Sequence, residues 1–260
     1  MASDNSNSTS GVLLIILPGI VKTLAIISIV AIGIFGVLRE STGTSDLLAD
    51  YQFEPSLIRS YNPVFGNKDA KVTVIEFLDF QCPGCGAISP IVDQIREEYK
   101  GDVKFVFKMF PLPIHANAEI SAQSAMAAAK QGKYFEFGTK LFAYQDNPGL
   151  SQITQEKVAT ELNLNMEQWN KDRKSQEIAK QILFDKTDGY KALLPLKEGE
   201  KPTSSVDSTP TFVFIKDGQI LYKTNVMSAD EFRARLDALL DKQPVAKPEA
   251  KVESTPEPAK

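Results

Sequence analysis

A length of 260 residues with 43% hydrophobic and 24% charged side chains excludes a disordered chain, a collagen-like repeat and a polytopic membrane protein. The net charge of −4 argues against a nucleic-acid binder, which carries a clustered basic excess. Two cysteines, Cys82 and Cys85, and one histidine, His115, are too few for a disulfide scaffold in a chain this long. They also fall short of a structural zinc site, which takes about four nitrogen or sulfur ligands.

Taken in chain order, residues 11–38 are apolar apart from Ser, Thr and Lys22. The window 19–38 has about the 20 residues that a bilayer-spanning helix needs, with Lys22 and Arg39 able to reach the two interfaces. We read residues 1–40 as a short cytoplasmic N-terminus and a single-pass transmembrane signal-anchor whose lipid contact is 19–38. A cleaved signal peptide is the competing reading; no A-x-A-like site follows Leu38, and the apolar stretch is longer than an h-region. Lys22 and Arg39 nearly balance, so charge leaves the orientation open. Residues 41–61 read as a linker and 62–241 as the globular domain. Residues 242–260, with four prolines, four lysines and three glutamates, read as a disordered, solvated tail.

Within the domain, residues 71–80 (KVTVIEFLDF) form an apolar run expected of a strand buried on both faces. Cys82-Pro83-Gly84-Cys85 follows, then helical periodicity over 87–99 with Ile88, Ile91, Val92 and Ile95 on one side. Residues 103–108 (VKFVFK) predict a second strand, completing a βαβ pattern. Residues 116–186 start on an alanine-rich stretch and continue as helical segments, an α-helical subdomain inserted into an α/β domain. Residues 187–207 are rich in Gly, Pro, Ser and charge and read as a loop. Asp217-Gly218 between two β-type runs predicts a hairpin, and Ser228 with Glu231 a capping box opening a final helix to about Leu240.

The chemistry concentrates in the CxxC. At a helix N-terminus, unpaired N–H groups lower the pKa of the first thiol. Cys82 is then the exposed nucleophile, and Cys85, one turn in, the buried resolving thiol of a disulfide exchange. Two merely packed cysteines, or half of a metal site, is the bland alternative.

The segments VIEFLDFQCPGC (74–85), VFKMFPLPIHANAEISAQSAMAAAKQGKYFEF (106–137) and STPTFVFIKDGQI (208–220) resemble the DsbA-like thiol–disulfide oxidoreductases of the thioredoxin-fold superfamily. The resemblance covers about residues 62–241. It implies a thioredoxin-like fold with a helical insertion and a redox-active disulfide centre. Cys82 and Cys85 are then the catalytic pair and Pro83-Gly84 the active-site dipeptide. Thr209 and Pro210 would be a cis-proline pair that binds substrate peptide by strand addition, and Pro90 a kink in the active-site helix. Glu76 matches the family's buried acid, a proton shuttle for Cys85, with Asp79 as the rival. His115 is read as a helix-entry or surface residue, with a place near the active site as the alternative.

The resemblance further implies exported protein thiols as substrates, a quinone-linked membrane thiol oxidase as redox partner, no metal and no bound cofactor. The catalytic domain would then lie outside a bacterial cytoplasmic membrane. Gly84 departs from the CPHC of the best-known members, so a less oxidising couple is expected. A reductase or isomerase on the same fold stays open. So does a tethered peptide-binding or chaperone module without redox turnover.

Overall fold

The structure is a computed structural model describing residues 46–147 and 149–242. The chain divides into units 1–50 and 51–260. Of the first unit only 46–50 fall among the described residues; there the Ala49 amide closes a turn onto the Asp46 carbonyl at 3.3 Å. The expected span 19–38, the first part of the linker and residues 243–260 of the tail lie outside the described residues. Among the described residues no helix is long and apolar enough to cross a membrane.

The second unit is built on a five-stranded sheet. Its strands are β1 (Val64–Gly66), β2 (Val72–Leu78), β3 (Val103–Met109), β4 (Thr211–Lys216) and β5 (Gln219–Thr224). Their spatial order is β1-β3-β2-β4-β5, which puts β2 at the centre. β2 and β3 are parallel, joined by helix α1 (Pro83–Glu98), and the other pairings are antiparallel. Every residue of β2 is buried, as a continuous apolar run in a two-sided sheet requires. Alternation sorts them: Val72, Val74 and Leu78 join the larger core cluster with α1, while Ile75 and Phe77 face the smaller one. β4 alternates likewise, with Phe212 and Phe214 on the first face and Val213 and Ile215 on the second.

Between β3 and β4 the chain forms five helices. These are α2 (Ala118–Ala129), α3 (Tyr134–Ala143), α4 (Gln152–Glu161), α5 (Met166–Arg173) and α6 (Gln176–Lys191). The small side chains of α2 let it sit at the middle of this group, with Ala122, Ala125, Ala127 and Ala128 buried. Trp169 of α5 is fully buried and donates from Nε1 to the Ser124 carbonyl at 3.0 Å. Ser151, Asn165 and Ser175 cap α4, α5 and α6 with side-chain oxygens. Helix α7 (Ala229–Leu239) closes the domain with the Ser228–Glu231 capping box formed in both directions. The hairpin turns at Asp217 and Gly218, both at positive φ (50° and 79°).

Two elements differ from the sequence reading, β1 and α6. β1 was not expected; three residues carry no periodicity, and Val64–Gly66 is ordered by antiparallel pairing to Val106–Lys104. Helix α1 starts at Pro83, so the CxxC occupies the helix head as the sequence implies, and Pro at the first helical position needs no N–H partner. Helix α6 runs on to Lys191, through what reads as the start of a loop. Gly189 there is a packing residue: a Cβ would come within 2.8 Å of the Phe110 ring and 3.1 Å of Phe77. The remainder of 187–207 folds back on itself through a bridge between Leu194 and Ser204.

Candidate active site

The head of α1 is built by β2. The strand ends at Leu78, and the Asp79 carbonyl accepts from the Cys82 amide at 3.0 Å, turning the chain into the helix. Cys82 is the N-cap, extended at φ −72° and ψ 121°, so the free N–H groups of the first turn lie beside its sulfur. Both cysteines are free thiols. Cys82 keeps 8% of its surface exposed and Cys85 none.

The two thiols are pushed in opposite directions. Cys82 is lowered from 9.0 to about 5, chiefly because the Cys85 thiol donates to its sulfur. Thr209 and the N–H groups of Cys85 and Gly84 add to this, against the opposing effect of burial. Cys85 is raised well above 9.0, first by burial, then by its bond to Cys82 and by the charge of Glu76. Such a pair separates a low-pKa thiolate from a protonated thiol one turn away.

Opposite Cys82 stands the Thr209–Pro210 bond, which is cis. The Cys82 thiol donates to the Thr209 carbonyl at 3.2 Å. A carbonyl acceptor favours the neutral thiol; the Thr209 side chain acts the other way and lowers the pKa, its hydroxyl being buried without a hydrogen-bond partner. Pro210 packs against the dipeptide: a Cβ on Gly84 would lie 3.2 Å from the proline ring. The positions Cys82, Cys85, Pro83, Gly84, Thr209 and Pro210 thus meet at one end of the sheet.

Glu76 and Asp79 separate clearly. Glu76 pairs with Phe107 on one side and Phe212 on the other, at the middle of the sheet. It is 5% exposed, and its carboxyl is raised to about 8 by burial, with the charge of Asp93 adding and Arg96 opposing. It faces a cavity of about 30 Å³ shared with Ser89, Asp93, Tyr134 and Thr139, which has room for a water molecule. Asp79 has its carboxylate occupied: it accepts from the Gln81 and Leu112 amides at 2.7 and 2.9 Å, and His115 Nδ1 lies 2.7 Å from its Oδ2. His115 precedes α2, its carbonyl accepting from the Ala118 amide, so it is a helix-entry residue that also braces the active-site loop. Pro90 lies inside α1.

Two contacts at the site have no sequence signature, because each joins a side chain to distant backbone. Gln81 Oε1 accepts from the Asn117 amide at 2.6 Å. Gln145, just beyond α3, donates from Nε2 to the Phe80 and Cys82 carbonyls at 2.9 and 2.8 Å.

A central βαβ unit, a dithiol at the helix head and a proline loop facing it define a thioredoxin-type fold. Residues 59–238 match the family model Thioredoxin_4, described as thioredoxin, and the chain belongs to that family. It is similar to the probable disulfide bond formation protein D of Bacillus anthracis, at 26% identity over 177 residues, covering 64% of this chain and 77% of that protein. It is also 34% identical over 122 residues to Na(+)/H(+) antiporter NhaA 1 of Mycobacterium sp. (strain KMS). That match covers 45% of this chain but only 20% of the antiporter, so the chain spans about a fifth of that relative's length. Among solved structures it resembles oxidised BdbD from Bacillus subtilis, with a TM-score of 0.57 and 23% identity over 73% of this chain and 97% of that one.

Proposed function

We propose that the chain is a DsbA-like protein thiol–disulfide oxidoreductase that oxidises dithiols of exported proteins. In this reading it is tethered through residues 19–38 to a bacterial cytoplasmic membrane, with the catalytic domain on the outer side. The observation that carries the reading is the divided thiol pair: a low-pKa Cys82 at the helix head, facing Thr209–Pro210, with a protonated Cys85 behind it.

In the oxidised form a substrate thiolate attacks Cys82 Sγ and breaks the Cys82–Cys85 bond. Cys85 leaves with the electron pair and takes a proton, which neutral Glu76 supplies. The second substrate thiolate then attacks the substrate sulfur of the mixed disulfide. Cys82 leaves as a thiolate, a good leaving group at a pKa of about 5. Two electrons have passed from the substrate to the protein, which now holds Cys82 as a thiolate and Cys85 as a thiol; the two substrate protons went to solvent when its thiolates formed, and Glu76 regains its proton from solvent. Reoxidation falls to a quinone-linked membrane thiol oxidase. Substrate peptide lies along Thr209 and Pro210.

A pKa of about 5 lies between the roughly 7 of thioredoxin and the roughly 3.5 of DsbA. It supports the less oxidising couple expected from Gly84, which offers the thiolate no side-chain charge. The outward placement of the catalytic domain follows from the oxidising role, since the cytosol would keep such a pair reduced. Thiol trapping in growing cells tests the direction. A mostly oxidised Cys82–Cys85 pair is expected; a fully reduced pair would overturn the oxidising role in favour of reduction.

A further inference from the structure

We propose that Gln145 is a positioning residue through which the helical insertion sets the reactivity of Cys82, by holding the Phe80 and Cys82 carbonyls that flank the active-site turn. The inference deepens the reading of Cys82 as the exchanging thiol and rests on it.

Gln145 stands outside the βαβ unit, in the turn after α3, and its own amide is held by the Phe142 carbonyl at 3.2 Å. Its Nε2 donates to two carbonyls of the Phe80-Gln81-Cys82 segment at 2.9 and 2.8 Å. These bonds fix two peptide planes, that between Phe80 and Gln81 and that between Cys82 and Pro83. The second plane sets ψ of Cys82 at 121°, the N-cap geometry that presents the Gly84 and Cys85 N–H groups to the sulfur. The Pro83 nitrogen carries no hydrogen, so the plane has no N–H to anchor it, and its carbonyl is held by the Gly86 amide at 3.1 Å and by Gln145. The two donors also draw off carbonyl charge that would otherwise oppose a thiolate on the same residue.

Gly86 completes the arrangement. It lies in the first turns of α1, where alanine is the better helix former, yet a Cβ there would collide with Gln145 Oε1. The glycine opens the space that the Gln145 amide occupies. Nearby, Gln81 and Asp79 tie the same loop to Asn117, Leu112 and His115. Of these ties from beyond β3, Gln145 alone reaches the backbone of the nucleophile.

The test is the Cys82 titration in the reduced full chain, followed by thiolate absorbance, for Gln145→Ala, Gly86→Ala and the double variant. Gln145→Ala is expected to raise the Cys82 midpoint by about half a unit to one unit, and to lower the equilibrium constant for oxidising glutathione about three- to tenfold. Gly86→Ala displaces the same amide and should shift the midpoint the same way. In the double variant the collision is gone, so Gly86→Ala should add nothing to Gln145→Ala. A folded Gln145→Ala protein with an unshifted midpoint overturns the proposal, as do two shifts that simply add. If Gln145→Ala does not fold, Gly86→Ala alone decides, by a shift or its absence. The titration needs no protein substrate, so its failure leaves the exchange reading standing. Absent exchange with a normal titration would count against that reading alone.

Discussion

Glu76 and Cys82, six positions apart in the chain, owe their opposite shifts to different surroundings. Cys82 caps a helix and is met by hydrogen-bond donors, so its charged form is favoured. The dithiol form therefore gains stability that is complete above about pH 9 and is lost as pH falls through about 5. Glu76 lies mid-strand between two phenylalanines, and burial favours its neutral form. Its unfolded counterpart ionises near 4.5 while the folded carboxyl holds its proton to about 8. Its contribution is thus full below 4.5 and falls away as pH rises through 8. Glu76→Gln removes this dependence. Denaturant unfolding of the reduced protein should show the variant gaining on the parent by about 1.4 kcal/mol per pH unit across this window. Parallel stability curves for the two proteins would refute a raised Glu76.

At the scale of elements, the helical insertion is fastened to the sheet by buried charge. Lys108 of β3 is fully buried and lies 3.0 Å from Asp185 and 2.9 Å from Asp188, both on α6. Asp188 also pairs with Arg59 at 2.7 Å, and Asn62 donates to Asp185, so the segment before β1 joins the same cluster. Burial raises Asp185, against which Lys108 works, while Arg59 and Lys108 hold Asp188 below its ordinary value despite burial. Removing one partner of such a cluster leaves uncompensated charge in the core. Lys108→Met is expected to cost about 3–5 kcal/mol in chemical denaturation. A loss below about 1 kcal/mol would show that the two aspartates find other partners.

Across the whole molecule, the legible parts were those whose signal is local. The apolar run of β2, the CxxC, the Asp217-Gly218 turn and the Ser228–Glu231 box each lie within a few residues, and each formed where expected. The cis Thr209–Pro210 bond was an implication of family resemblance; neither the residues nor their spacing call for it. The hidden parts are tertiary. Asp188 and Gly189 read as loop residues and Asp185 as the end of a helical segment, yet the two aspartates are buried ion partners of Lys108 and the glycine a packing contact inside α6. Gln145 and Gln81 have backbone partners tens of residues away, which no spacing rule can reach.

The central claim is that disulfide exchange passes through Cys82 with Cys85 resolving. The most direct test mixes the oxidised full chain with a reduced dithiol peptide and follows peptide oxidation, with Cys85→Ala used to hold the intermediate. The account predicts stoichiometric peptide oxidation by the parent, none by Cys82→Ser, and a mixed disulfide mapped by mass spectrometry to Cys82 in Cys85→Ala. Peptide oxidation that survives in Cys82→Ser, or no transfer from the oxidised parent at all, would contradict it.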